Sequence, residues 1–401
     1  MNNQNKKYIL PVIVIAQFAC TSLWFAGNAV ITDIIKQFSL APDALGHLVS
    51  AVQLGFISGT LLFAVFTISD RYSPSKIFFI CSIAASLSNL LIFFADGLPV
   101  IMLSRCMTGL FLAGIYPVGM KIASDYNKEG LGKALGWLVG ALVLGTAFPH
   151  LVHSFTQTLS WKIVISVSSS LSVIGGLMIF LFVPDGPHRG RSTTFDLTAF
   201  AKIFRNRNFR LAAFGYFGHM WELYALWAFI PVLLTTYTAL HVDTNMPVSL
   251  FSFFVIASGS IGCVLGGYLS QYFRNSKIAF VALATSFICC LLSPFLFHFS
   301  FVFFLLLLFV WGISATTDSP QFSTIVANSA AAESKGTALT ITNSMGFLIS
   351  IISIESVNAL KTVIDPEHIY LILAIGPLLG LIALSGLVFK KPGVRRLETE
   401  V

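Results

Sequence analysis

Charge is what this chain has least of. Only 10% of its 401 residues are Asp, Glu, Lys or Arg, against about 25% in a soluble domain. That shortage excludes a soluble enzyme, a nucleic-acid module and a disordered chain. Cysteine is scarce too. The six present (Cys20, Cys81, Cys106, Cys263, Cys289 and Cys290) all lie inside apolar runs, at no spacing that suggests a metal site or a disulfide framework. Such thiols behave as small hydrophobes. There is no Gly-x-x-x-x-Gly-Lys-Ser/Thr phosphate loop, no soluble segment large enough to hydrolyse ATP, and no Cys/His ligand set or haem motif. No cofactor, no metal and no enzymatic reaction are expected, so an ion or solute gradient must supply any energy used.

Apolar residues are what is there. They make up 56% of the chain, including 38 Phe, and the mean hydropathy is +0.84. Runs of about 20 apolar residues recur along the sequence, the length that a bilayer core of about 30 Å requires of a helix. Twelve spans are expected, at 8–35, 44–68, 77–94, 99–123, 131–152, 162–183, 209–237, 247–272, 278–296, 299–326, 336–360 and 368–389. Unsatisfied backbone in hydrocarbon leaves only helices or closed barrels, and these runs are about twice the length of a barrel strand. The fold class is therefore an all-α membrane protein. Met1 to Lys7 followed by an apolar run has the order of a secretory signal, but the run is too long for one and reads as an uncleaved first helix.

With both termini on one side, that side receives 20 of the 24 Lys and Arg, the other side receives Lys36, Lys162 and Lys361, and Arg105 remains inside a span. Basic residues collect on the cytoplasmic face. A multi-pass inner-membrane protein with both ends cytoplasmic is expected, and its net charge of +7 reflects topology and anionic lipid without a nucleic-acid partner. The longest loop, 184–208, divides the chain into 1–183 and 209–401 and carries a basic segment, 202–210, expected to form a short interfacial helix.

The two parts match in register. Gly109 and Pro117 correspond to Gly312 and Pro320 at an offset of 203, and Leu23-Trp24 corresponds to Leu226-Trp227 at the same offset. Ser75-Lys76-Ile77 pairs with Ser276-Lys277-Ile278 at 201, and Ala134-Leu135 with Ala338-Leu339 at 204. Two like six-helix bundles are an architecture that supports alternating access around a site near the midplane.

With these features the chain resembles the major facilitator superfamily over essentially its whole length. The loop after the second span carries Asp70-Arg71 and the terminal basic residue Lys76 of that family's loop signature, though not its glycines. Arg105 and Gly109 match the fourth-span signature. The Gly-Pro pair of the family's antiporter signature is absent from span five, where Gly140 is followed by Ala141; uptake is favoured over export. The resemblance implies that spans one, four, seven and ten line a central cavity, and that Asp70 and Arg71 make contacts between the halves that gate the conformational change.

Ionised side chains at the bilayer centre cost roughly 3 kcal/mol or more and mark functional sites. Arg105, Glu222, Asp318 and Glu355 are such residues, and the first three fall on spans four, seven and ten. Glu222 and His219, three apart on one helix, are candidates to load and release a proton, or else to tie helices together. Asp318, before Ser319-Pro320-Gln321, is a proton site, a partner for a cationic group, or a cap on a helix broken by proline. Arg105 binds an anion or sits in an ion pair with Glu222 or Glu355. Gln17, Thr21, Trp24 and Asn28 form one helical stripe that lines the cavity or glues helices. Tyr116, Trp221, Tyr224, Trp227 and Gln321 are substrate walls or packing. Gly132, Gly136, Gly140 and Gly145 point to close helix packing. His150 and His153, lacking carboxylate or thiol companions, make a poor metal site.

The expected activity is proton-coupled symport of a small polar organic solute, anionic solutes included, by a monomer in the lipid bilayer. The alternatives are a proton-driven exporter of amphipathic compounds or a carboxylate-type siderophore, and an uncoupled carrier or ligand-sensing receptor on the same fold.

Overall fold

A computed structural model of the chain describes residues 8–126, 131–187, 203–330 and 335–389. Every described element is helical, as backbone without water requires. The first apolar stretch is divided among α1 (Ile9–Thr21), α2 (Ala26–Ala29) and α3 (Ile31–Phe38). Then come α4 (Ala44–Val65), a single turn α5 (Ile68–Arg71), α6 (Pro74–Leu90), α7 (Leu98–Leu112), α8 (Tyr116–Tyr126), α9 (Leu131–Phe155) and α10 (Lys162–Phe182). The remainder is α11 (Arg207–Leu240), α12 (Val248–Leu269), α13 (Asn275–Leu292), α14 (Phe301–Thr317), α15 (Ser319–Ser329), α16 (Lys335–Leu360) and α17 (Ile375–Val388). Among the described residues eleven helices, counting α7–α8 and α14–α15 each as one and adding the 3-10 turns 91–94, 293–298 and 369–374 to α6, α13 and α17, are long and apolar enough to cross a membrane.

The first stretch was expected as one helix over 8–35 and is broken instead. Ser22 to Phe25 leave the α1 ladder, with no proline to cause it. The physical reason lies on another helix, because a buried Arg105 takes up the carbonyls that the break releases. Of the basic segment 202–210, residues 203–205 are helical, and Lys202 lies outside the described residues. The rest of the segment opens α11, where Asn206 Oδ1 accepts from the backbone N–H of Asn208 at 2.9 Å and caps the helix.

The internal match is visible in the packing. A Cβ on Gly109 would collide with the Val52 carbonyl oxygen, and a Cβ on Gly312 with the Val255 carbonyl oxygen. Both partners sit at the same offset of 203. Helices α4 and α7 thus touch backbone to backbone as α12 and α14 do. The chain then breaks in both places, at 113–115 before Tyr116-Pro117 and at Asp318 before Ser319-Pro320. Proline at the second helical position has no N–H to give the preceding turn. Overpacking a backbone contact costs about 1–3 kcal/mol or more. Gly109→Ala and Gly312→Ala are each expected to lower the detergent-solubilised melting temperature. Gly336→Ala, where an added Cβ would meet no atom of the described residues within 4 Å beyond its own helix backbone and chain neighbours, is expected to leave it unchanged.

Across the chain's two parts, α9 lies along α12 and α4 along α16. Gly136 approaches Gly267, a Cβ there falling 3.1 Å from its Cα, and Gly140 approaches Ser260. Gly145 instead faces Thr21 and Phe18 of α1. Small residues here let backbones approach where lipid offers no hydrophobic driving force.

Candidate functional site

A narrow cavity lies where α8, α9, α11, α14, α15 and α16 meet. Its wall includes Tyr116 from α8, Val139 and Leu142 from α9, Tyr216, Tyr224 and Trp227 from α11, Ser319 and Ser323 from α15, and Asn343 and Phe347 from α16. It follows α11 from Tyr216 to Trp227, about three turns. An aromatic cluster closes the end opposite the chain termini. Trp24 stacks on Tyr224 and on Phe347, both at 5.7 Å, and Phe56 meets Phe347 at 4.5 Å. Asn28 Nδ2 donates to the Ala228 carbonyl at 3.3 Å beside it.

Arg105, Glu222, His219 and Asp318 do not converge on this cavity. They form three separate sets. Arg105, 2% exposed, donates through Nη1 to Asn89 Oδ1 at 2.6 Å and through Nη2 to the carbonyls of Leu23 at 2.9 Å and Trp24 at 2.6 Å. It meets neither Glu222 nor Glu355, and its fork is spent on backbone and an amide. Glu222 Oε1 accepts from Ser286 Oγ, Trp311 Nε1 at 2.6 Å and Cys290 Sγ at 3.3 Å, which ties α11 to α13 and α14. His219 does not share that set. Its Nδ1 lies 2.9 Å from Asp318 Oδ1, with both side chains buried. Three residues on a helix differ by about 4.5 Å in height and about 60° in direction, enough to give Glu222 and His219 different neighbours.

Asp318 occupies the break between α14 and α15 but caps neither with its side chain. His219 Nε2 and Asp318 Oδ2 have no hydrogen-bond partner among the described residues. The pair sits directly behind the cavity wall, since Met220 and Ser319, the next residues along the chain, line it.

The other candidates divide. Tyr116, Tyr224 and Trp227 line the cavity, and Trp24 packs on its closed end. Gln17 lies against Gly119, and Thr21 donates to the Gln17 carbonyl at 2.8 Å while facing Gly145; both sit between helices of the first part. Trp221 points away, its Nε1 donating to the Ile372 carbonyl at 3.0 Å. Gln321 packs on Gly266 of α12. Arg71 ends α5 beside a groove with Tyr72, Ser73 and Lys76, and the Asp70 side chain lies outside the described residues. Among the described residues no group of three or more His, Cys, Asp or Glu side chains gathers as metal ligands would.

The family model described as Major Facilitator Superfamily matches residues 13–354. The chain belongs to that superfamily. Among its relatives are a putative uncharacterized transporter, YgaY of Escherichia coli K12, 26% identical over 43% of this chain and 45% of the relative. The niacin transporter NiaP of Acinetobacter baylyi is 30% identical over 34% of this chain and 36% of its own. The uncharacterized MFS-type transporter YfhI of Bacillus subtilis is 27% identical over 46% and 47%. The matched segments span less than half of each relative. Family and relatives point to transport across a membrane rather than to an enzymatic reaction.

For this superfamily member the sequence reading named Glu355 as an intramembrane charge but missed its partners, which the structure places in a contact between α4 and α16. His47 Nδ1 lies 3.2 Å from Glu355 Oε2, Ser50 Oγ donates to Glu355 Oε1 at 2.6 Å, and Asn358 Nδ2 donates to the Asp43 carbonyl at 2.9 Å. At the same end His153 joins Ser249 Oγ of α12 at 2.8 Å and Asp33 at 3.3 Å. Lys361 lies nearby over the Phe229 ring; burial lowers its pKa and the Asp43 charge opposes that shift. The His47–Glu355 pair is about a third exposed, so its worth is about 1 kcal/mol, roughly fivefold in a population. Glu355→Ala is expected to shift spin-label distances between Leu159 and Val363, both exposed at this end, toward longer values in about that proportion. Asn89, Ser286, Trp311 and Phe347 were also missed, because a partner on another helix leaves no spacing in the sequence.

Proposed function

We propose that this protein is a proton-coupled secondary transporter of a small polar organic solute. Two six-helix halves, 1–183 and 209–401 joined by 184–208, expose the cavity alternately to the two faces of the membrane. The twelfth span in this reading is the broken α1–α3 stretch. The glycine contacts repeated at an offset of 203 support the two halves, and the charge count supports cytoplasmic termini in an inner membrane.

One observation carries the coupling: His219 and Asp318 form a buried pair 2.9 Å apart beside the cavity wall. One proton taken up by the pair removes the negative charge of an Asp318 carboxylate. A neutral pair lets the solute-loaded halves exchange faces at less cost, and the emptied halves return once the proton has left to the other side. Glu222, with three donors on one oxygen, serves as a tie within the second half. Arg105 holds the break of the first stretch open. Asp70 and Arg71 keep the gating role that the family motif implies, and a lipid-embedded monomer suffices.

The test is uptake by proteoliposomes of a radiolabelled solute that stabilises the purified protein in a thermal-shift screen, niacin among those screened. Accumulation that follows an inward proton gradient supports symport. Equal uptake with and without the gradient would identify an uncoupled carrier, and loss of preloaded solute in exchange for entering protons an exporter.

A further inference from the structure

We infer that the solute is uncharged and flat, a conjugated ring bearing a carboxamide or lactam edge, bound by Trp227 and Asn343. This rests on the reading of the cavity as the transport site and not on proton coupling.

The argument starts from charge. No acidic or basic side chain is among the residues that line the cavity. The charged groups close by are engaged elsewhere: Arg105 with Asn89 and two carbonyls, Glu222 with three donors, His219 with Asp318. An ionised solute would find no counter-charge among the lining residues, and desolvating an unpaired charge is costly. The anionic solute expected from Arg105 therefore does not fit.

The rings come next. Tyr116, Tyr216, Tyr224, Trp227 and Phe347 make up much of the lining, and Trp24 stacks behind Tyr224 and Phe347. Flat aromatic faces favour offset stacking with another flat ring. A saccharide or an amino acid would leave them poorly covered.

The polar groups of the lining select the edge. Trp227 is 1% exposed, yet its Nε1 has no hydrogen-bond partner among the described residues. A buried donor left unpaired is costly, and a solute carbonyl would satisfy it. Asn343 lines the same cavity with its carboxamide side chain. A primary amide both donates and accepts, so it complements another amide edge to edge. The unpaired indole N–H of Trp227, the Asn343 carboxamide and the rings that line the same cavity together fit an amide-bearing aromatic.

The test is equilibrium dialysis in detergent at pH 7 and without any gradient, using radiolabelled nicotinamide, nicotinate, benzamide, benzoate and cyclohexanecarboxamide. Nicotinamide and benzamide are expected to bind, each at least about tenfold more tightly than the corresponding anion and more tightly than the saturated-ring amide. Trp227→Phe, which keeps a ring and removes the N–H, and Asn343→Leu are each expected to weaken amide binding about tenfold. Trp137→Phe, on the exterior, should change nothing. Anions binding as well as amides, amide binding indifferent to both variants, or no amide binding at millimolar concentration would each overturn the inference. Amide binding without gradient-driven uptake would leave it standing and remove the coupling reading instead.

Discussion

In proteoliposomes with an inward gradient of about two pH units, Asp318→Asn is expected to bring solute down from an accumulated to an equilibrated level. Each pH unit stores about 1.36 kcal/mol per proton, so one proton per solute supports a concentration ratio of about a hundred. The variant should settle near a ratio of one. Exchange of labelled for unlabelled solute should survive, because Asn keeps the shape and polarity that the break between α14 and α15 contains and loses only the titration. His219→Gln is expected to retain part of the accumulation, since Asp318 remains to carry the proton without the imidazole 2.9 Å away. Exchange lost together with accumulation would mean that Asp318 acts in binding or folding.

Arg105→Ala is expected to damage the fold more than any cavity substitution. The guanidinium satisfies Asn89 Oδ1 and two carbonyls released at Ser22 to Phe25, all buried. Hydrogen bonds to charged groups are worth about 1.5–3 kcal/mol each, and orphaned buried acceptors cost a further 1–3 kcal/mol. A net loss of about 4 kcal/mol is expected, read as a fall in melting temperature and in monodisperse yield. Arg105→Lys should recover part of it, because one ammonium can reach some of the acceptors without the planar fork that meets an amide and two carbonyls together. Solute affinity of whatever protein survives should be unchanged. A folded Arg105→Ala protein with weakened solute binding would return this residue to the cavity.

These two residues show where the sequence was readable and where it was not. Apolar run lengths located the helices and Pro320 the break at Asp318, because bilayer thickness and a missing N–H act locally, while the break before Pro117 was not read from the sequence. The offset of 203 predicted a repeat whose glycine contacts the structure shows at the same spacing. The break in the first stretch was hidden, since its cause is a side chain on α7. Direction was hidden too. Helix α11 is enclosed by protein at His219 and Glu222 alike, each 1% exposed, so periodicity could not say which neighbour either would face. Tyr116, Tyr224 and Trp227, left open by the sequence between walls and packing, line the cavity, while Trp221, one residue before Glu222, looked equivalent and turns to Ile372. Arg105, Glu222 and Asp318 were expected to share a chamber because their helices meet there; each instead has its own polar partners within the protein.

Proton movement measured on solute addition tests the central claim most directly. With wild-type proteoliposomes in lightly buffered medium, carrying a pH dye outside and no imposed gradient, the account predicts that adding solute alkalinises the medium as protons enter with it. A protonophore should abolish the signal, and Asp318→Asn should never show it. Labelled solute entering wild-type vesicles at full rate with the dye unmoved would contradict the account.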